Sequence, residues 1–254
     1  LSIHQLNFEG KNKVEVAIDR LRYFEPPEGY YLAFSGGKDS VTILKLAKLA
    51  KVNYDAHYNL TTVDPPEIVS FIKSTPEIQI EKPPNTMWQL VYENGLPRRQ
   101  GRWCCRELKE RGGSGRFVIT GVRKAESKGS TMRAHRGMVE TCYKDTSKRF
   151  MNPIIDWEDG DVWEFIREYD VGYCLLYDEG FERLGCVLCP MVREIKRQQE
   201  RWSKICDAWY RATVRYWNRQ TKGGQRFESA DALWEWWLDR DRSSQPDEQL
   251  QFYD

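Results

Sequence analysis

The run Ser35-Gly36-Gly37-Lys38-Asp39-Ser40 places several groups useful to a phosphate ester within six residues. Two glycines let the backbone turn tightly and present its N–H groups, and a helix beginning just after them adds the positive end of its dipole. Lys38 supplies a point charge, and Ser35 and Ser40 supply hydroxyl donors. Asp39 can cap that helix or help to place a metal ion. A plain strand-to-helix turn with an Asp cap accounts for one glycine and the Asp and leaves the rest unexplained. The residues therefore point to a phosphate-binding loop.

A second group is made of sulfur. Cys104-Cys105 lies between Trp103 and Arg106, and Cys186-Val187-Leu188-Cys189 follows far downstream. Thiolates are soft ligands, and four of them suit an iron–sulfur cluster or zinc. A Cys-x-x-Cys turn directs two thiolates at one centre. Adjacent cysteines fit a single tetrahedral zinc awkwardly, whereas a cubane with separate corner irons accepts them. The reading is an iron–sulfur centre first, zinc or a redox disulfide second, and plain buried thiols third. Cys142, Cys174 and Cys206 have no partner spacing, and Cys206 falls on a helical apolar stripe. Seven cysteines clustered in this way are not the framework of a secreted disulfide protein.

These residues need elements to hold them. Tyr30 to Phe34 is a short apolar run, and Val41 to Leu49 repeats apolar residues at helical spacing, so the loop is expected between a strand and a helix. A helix over 12–23 precedes them. Val52–Tyr58 and Ile78–Ile80 read as strands, with a helix from Pro65-Pro66 through Ile72 between them. Thr86–Tyr92 reads as a helix and Arg116–Thr120 as a strand closed by Gly121. This alternation implies an α/β fold, a mostly parallel twisted sheet with helices on both faces. Beyond Pro153, Asp159–Tyr169, Lys196–Trp217 and Asp231–Leu238 read as helices. The expected organisation is a nucleotide-binding domain with the cysteines over residues 1–190, and a C-terminal helical extension over 191–254 packed on it.

The 254 residues carry a formal net charge of +1, unevenly placed. Arg98 to Arg136 holds twelve Lys/Arg against three Asp/Glu, and Val192 to Phe227 holds ten against three. Such stretches suit a nucleotide, an oxyanion or a nucleic acid. Trp202, Trp209, Tyr210, Tyr216 and Trp217 lie within the second stretch. Their helical spacing makes them core, not a base-stacking platform, and leaves the charges for a phosphate backbone. No apolar run is long enough to span a membrane, no secretory leader is evident, and a cytoplasmic protein is expected.

Phe34 to Ser40 resembles the PP-loop of the ATP-pyrophosphatase superfamily, whose fold is of the adenine nucleotide alpha-hydrolase-like kind. The Cys-Cys pair with a later Cys-x-x-Cys resembles the adenylyl-sulfate reductase branch of the phosphoadenosine phosphosulfate (PAPS) reductase family, where it binds a [4Fe–4S] cluster. Three further stretches are similar to the wider family: Gly121 to Ser127 with Arg133 beyond, Asn152-Pro153 continuing to Trp163, and Leu176 to Cys186. The resemblance implies an adenine nucleotide, either ATP or a sulfonucleotide (APS or PAPS), held by Ser35, Gly36, Gly37, Lys38, Asp39 and Ser40. It implies that Arg123, Ser127 and Arg133 face its phosphate or sulfate, and that Cys104, Cys105, Cys186 and Cys189 are the cluster ligands. Arginine suits the first task because its planar fork gives two parallel hydrogen bonds to an oxyanion.

Reductases of this family carry a C-terminal Glu-Cys-Gly cysteine and commonly lack the Lys-Asp pair of the loop. Here the last cysteine is Cys206, and Lys38 and Asp39 are both present. Both departures direct the expectation toward ATP with Mg²⁺, cleaved between its α- and β-phosphates, with Lys38, Asp39 and Arg123 as the catalytic residues. The adenylated oxygen then leaves when sulfur displaces it. A similar arrangement is found in the cluster-bearing component of DNA phosphorothioation systems, which makes a nucleic-acid substrate and a sulfur-donor protein expected partners. One alternative is a sulfonucleotide reductase served by a thiol-reductant protein. Another is a nucleic-acid-binding module with a structural zinc. A homo-oligomer completes the expected partners, and a membrane is not among them.

Overall fold

The computed structural model describes residues 2–127, 137–142, 145–220 and 226–239. In chain order the elements are α1 (Lys13–Tyr23), β1 (Tyr30–Ala33), α2 (Lys38–Ala50), β2 (Tyr54–Asn59), α3 (Pro66–Lys73), β3 (Ile78–Glu81), α4 (Met87–Asn94), β4 (Phe117–Ile119), β5 (Val139–Thr141), β6 (Arg149–Met151), α5 (Asp159–Glu168), α6 (Ile195–Arg201), α7 (Ser203–Arg219) and α8 (Ala230–Leu238). The chain divides into two compact units.

The first unit, Leu1–Asn59, Pro66–Glu81 and Arg111–Leu184, contains the sheet. Its strand order is β3-β2-β1-β4-β6-β5. All pairings are parallel except that of β5 with β6. Consecutive Tyr30, Tyr31 and Leu32 are all buried, so both faces of β1 are covered, as a central parallel strand requires. Helix α2 buries Val41, Ile43, Leu44, Leu46 and Ala47, the stripe that its spacing predicts. Helix α1 begins with a capping box between Asn12 and Glu15.

The order of strands reverses beside β1. From β1 the chain moves through β2 to β3 on one side, and β4 then pairs with β1 on the other. In open α/β sheets a crevice forms at the carboxyl ends of the strands at such a switch point, and ligands bind there. The loop after β1 is Phe34–Gly37, and the segment after β4 runs through Gly121 to Arg123.

The second unit is Leu60–Pro65, Lys82–Glu110 and Gly185–Asp254. It therefore departs from the expected boundary at residue 190. The reason is packing: Trp88 of α4 meets Trp209 of α7 at 5.4 Å between ring centroids, and Trp209 meets Trp237 of α8 at 4.9 Å. The indole of Trp237 donates to the carbonyl of Pro97 at 2.7 Å. Trp202 and Trp209 are buried, as their helical spacing predicts, whereas Tyr210 is exposed and Tyr216 and Trp217 are half-buried. Two more differences are local. The helix expected over 196–217 breaks at Trp202, whose backbone (φ −127°, ψ 50°) leaves the helical region. Strands β5 and β6 have three residues each, too short to show a period in the sequence. No helix among the described residues is long and apolar enough to cross a membrane.

Candidate functional site

In the first unit the phosphate loop is built by conformation before charge. Gly36 has φ +76°, a left-handed value that favours glycine, and a Cβ there would also meet Ile68 at 3.0 Å. Gly37 is the N-cap of α2 and makes no side-chain cap; of the first amides, that of Lys38 donates to the Tyr177 hydroxyl and that of Ser40 to the Gly37 carbonyl. Asp39 does not cap the helix. Its carboxylate accepts from Arg123 Nε at 2.7 Å and pairs with Lys38 Nζ at 3.4 Å. The Ser40 hydroxyl donates to the Gly37 carbonyl at 2.8 Å, which tightens the loop and commits that proton internally. Ser35 Oγ accepts weakly from the Gly37 amide at 3.4 Å.

The segment after β4 completes the cradle. A Cβ on Gly121 would lie 2.8 Å from Asp39 Cβ and 3.0 Å from its carbonyl carbon, so only glycine lets the two strand ends approach this closely. Arg123 and Lys38 are then buried to 2% and 6% exposure. An uncompensated ion in such a place costs several kcal/mol, so partners are obligatory. Asp39 is one. The other is Asp159, the first residue of α5, which accepts from Lys38 Nζ at 3.1 Å and from Arg123 at 2.9 Å. Burial pushes the Asp159 pKa up, but hydrogen bonds and charge from Lys38 and Arg123 outweigh it and hold the carboxyl below its usual range. Although it bridges two buried cations, the Asp159 side chain is 63% exposed.

Around these charges lies a cavity of about 890 Å³, lined also by Trp163, Tyr177 and Arg183. The Tyr177 hydroxyl accepts from the Lys38 backbone amide at 2.9 Å. Burial raises its pKa, so it keeps its own proton and can donate in turn. The Tyr177 ring packs edge-on against Trp163 at 5.1 Å. Lys38, Asp39 and Arg123 thus come together in one ion-pair network. Ser127 ends a 3₁₀ turn over Lys124–Ser127, and its side chain is outside the described set. Arg133 lies outside the described residues. Asp159 and Tyr177 were not singled out by the sequence. An acidic residue opening a helix carries no mark of a site, and Tyr177 is one tyrosine of 13.

In the second unit the four cysteines share one electrostatic neighbourhood. The Cys104 thiol is pushed up by its hydrogen bond to Cys105, then by burial and by the charges of Cys105, Cys186 and Cys189. Cys105 is correspondingly lowered by that bond, against burial, with help from Arg102 and Lys109. Burial raises Cys186 to about 11, while the charge of Lys109 works against this. The Lys109 ammonium is itself held protonated chiefly by Cys186, with Asp64, Cys189 and Cys105 contributing. Lys109 closes the π-helical turn Cys105–Lys109, a form found mostly at functional sites.

The Cys-x-x-Cys turn is strained and braced. Leu188 has φ +56°, which costs a non-glycine residue about 1–2 kcal/mol. Its amide donates to the buried Gln198 side chain at 2.7 Å, and the Trp209 indole donates to the Val187 carbonyl at 3.1 Å. These braces lie beyond the motif, and the sequence did not identify them. Cys105, Cys186 and Cys189, with Asp64, act on the Lys109 ammonium, and the four cysteines together have the donor chemistry of a soft-metal site. Among the described residues, however, no three His, Cys, Asp or Glu side chains form a ready-made metal-holding group.

Comparison with known proteins agrees with this fold. Residues 29–192 match the phosphoadenosine phosphosulfate reductase domain. An uncharacterised protein of Methanocaldococcus jannaschii is 28% identical over 221 residues, covering 80% of this chain and 51% of its own length. A second from the same organism is covered over 45%, so the chain spans about half the length of these relatives. An adenosine 5′-phosphosulfate reductase of Staphylococcus epidermidis is 26% identical over 217 residues, covering 78% of this chain and 85% of the relative. Among solved structures, the PAPS reductase of Candida auris superposes with a TM-score of 0.52 at 19% identity, covering 73% of this chain and 98% of that one. That likeness is one of fold.

Proposed function

This chain belongs to the phosphoadenosine phosphosulfate reductase family, and from that premise we propose an enzyme that binds ATP at the loop Ser35–Ser40 and cleaves it between the α- and β-phosphates. The observation that carries the reading is the ion-pair network of Lys38, Asp39 and Arg123 at the switch point of the sheet, with Lys38 and Arg123 lining one cavity. The N-terminal end of α2 and the Lys38 ammonium receive the phosphates, and the Arg123 fork meets the charge that develops as the bond breaks. An acceptor oxygen attacks the α-phosphorus, the bond to the bridging oxygen breaks, and pyrophosphate leaves. The protein's part is positioning and charge stabilisation. Mg²⁺ would be held mainly by phosphate oxygens, with Asp39 and Asp159 as the nearby carboxylates. Trp163 offers an aromatic face within the same cavity for adenine.

The adenylated acceptor is a nucleic acid in this reading: the outer sulfur of a persulfide on a donor protein attacks it, AMP leaves, and a thiol then cleaves the S–S bond, so that the acceptor keeps the sulfur and the donor is left in a disulfide with that thiol. Cys104, Cys105, Cys186 and Cys189 would hold a [4Fe–4S] cluster, one thiolate to each iron, which when bound would supply electron transfer or a brace for the site. Lys109 offsets the thiolate charge there, and the Gln198 and Trp209 braces fix the turn that presents Cys186 and Cys189. Thiol chemistry of this kind suits the reducing cytoplasm.

The test is pyrophosphate release from ATP in the presence of an acceptor. Lys38→Ala should abolish it, and release that survives this change would sink the reading. A second reading is favoured by the reductases among the relatives: sulfite released from APS or PAPS with a thiol reductant. Thermal protection by ATP against protection by APS or PAPS separates the two.

A further inference from the structure

A cavity of about 710 Å³ in the second unit, separate from the cysteines, is bounded by Arg99 on one side and by the segment that follows Cys189 on the other. Its charges are unusual. Arg99, Arg193 and Lys196 line it, and none of the three has an ion pair or side-chain hydrogen bond among the described residues. Arg197 also lines it but pairs with Glu194 at 3.6 Å. Asp239 is the other carboxylate on its wall. The floor is apolar, with Met191, Val192 and Ile195. Four cations against two carboxylates make the cleft net positive, and three of the cations have no partner among the described residues, which suits an external anion.

We infer that this cleft binds the backbone of a single-stranded nucleic acid. The inference rests on the nucleic-acid reading of the acceptor and deepens it by giving that acceptor a place. The cations sit on two separate segments around a volume far larger than one sulfate fills, which matches a chain of repeated phosphates better than a lone ion. Among the described residues no aromatic ring lines the cleft, so bases would rest on aliphatic groups and recognition would fall on the phosphates. Binding is therefore tolerant of sequence and steep in salt. Pro190, the first residue of the wall after the motif, directly follows Cys189. A strand held here would lie beside the Cys-x-x-Cys turn.

The experiment is fluorescence anisotropy of a labelled single-stranded oligonucleotide with the full chain. Three phosphate contacts predict a slope of log affinity against log salt of about −2, or roughly sixteenfold weaker binding at 200 mM than at 50 mM salt. Arg193→Ala with Lys196→Ala, both exposed, should weaken binding at least tenfold and reduce the slope to about −0.7. Three results would overturn the inference: no binding by the unaltered chain, equal binding by the double variant, or displacement of the strand by poly-glutamate at equal charge concentration. Pyrophosphate release from ATP is measured in parallel. If release fails while the strand binds as described, the cleft stands and the ATP reading falls. If release persists without strand binding, the cleft falls and the acceptor is of another class.

Discussion

The phosphate loop and the cysteine group manage charge differently. In the first unit, two buried cations, Lys38 and Arg123, meet two carboxylates, Asp39 and Asp159, at 2.7–3.4 Å. The result is a closed network in which every charge has a partner before any ligand arrives. In the second unit, Cys105, Cys186 and Cys189 act on the Lys109 ammonium, and Cys104 and Cys105 share a hydrogen bond. The first arrangement is complete as a folded object and exchanges a partner to bind. The second has the right donors but no assembled metal-holding group among the described residues, so anything it binds also finishes building it. A preorganised anion site and a site completed by its ligand should respond to substitution in opposite ways.

The largest effect is expected at the preorganised site. Removing one well-placed charge from a catalytic cradle costs about 10²–10³ in rate, so Lys38→Ala should lower pyrophosphate release by at least that factor while the thermal midpoint changes little. A collapse of the fold instead would show that Lys38 is structural and erase the contrast. At the cysteine group the outcome is compositional. Cys186→Ser together with Cys189→Ser should remove the iron and the broad visible absorption of anaerobically purified protein. Unaltered protein that is colourless but carries one zinc per chain would replace the cluster with the zinc alternative.

A third effect concerns geometry. Gly121→Val sets a side chain against Asp39, where even a Cβ lies at 2.8 Å. A loss of about 1–3 kcal/mol is expected from such overpacking, read as a lower denaturation midpoint, with weakened ATP protection. Wild-type stability in that variant would mean that the strand ends can move apart freely.

How much of this was legible in the chain follows the same division. The loop, its strand and its helix could be read because glycines, a lysine and an apolar stripe leave local marks. Arg123 could be placed because it follows a strand end. Asp159 and Tyr177 reach the loop from 120 and 139 residues downstream of Asp39 and Lys38 respectively, and nothing local distinguishes them from other acids and tyrosines. The cysteines were legible as a set, but their braces were not, since Gln198 and Trp209 look like ordinary helical residues. The boundary at residue 190 failed for a related reason. Tryptophan packing between α4 and α7 joins segments more than 100 residues apart, and no linker composition announces that.

The smaller predictions sharpen the view of the closed network. Asp159→Asn removes the competitor for incoming phosphate, and pyrophosphate should bind several-fold tighter by calorimetry. Unchanged or weaker binding would make Asp159 a support, not a competitor. Acid should act on the first unit through carboxylates such as Asp156. Burial opposes its ionisation, but the paired hydrogen bonds and charge of Arg20 keep its pKa below the usual 3.8. With the folded value below the unfolded one, its stabilisation is present above about pH 4 and fades as pH falls through the folded pKa. A pH series of thermal midpoints should show this loss, and Asp156→Asn should flatten it.

The carboxylate bridge at Asp159 has a kinetic consequence. Two cations matched by two carboxylates make this four-residue network nearly neutral, so it contributes almost no field beyond a Debye length of about 8 Å. In the proposed reading a nucleotide is therefore not drawn in from afar by this network, and the exchange of carboxylate for phosphate happens only on contact. Choice between anions is then made by how long each one stays, so discrimination at this loop resides in dissociation and hardly at all in encounter.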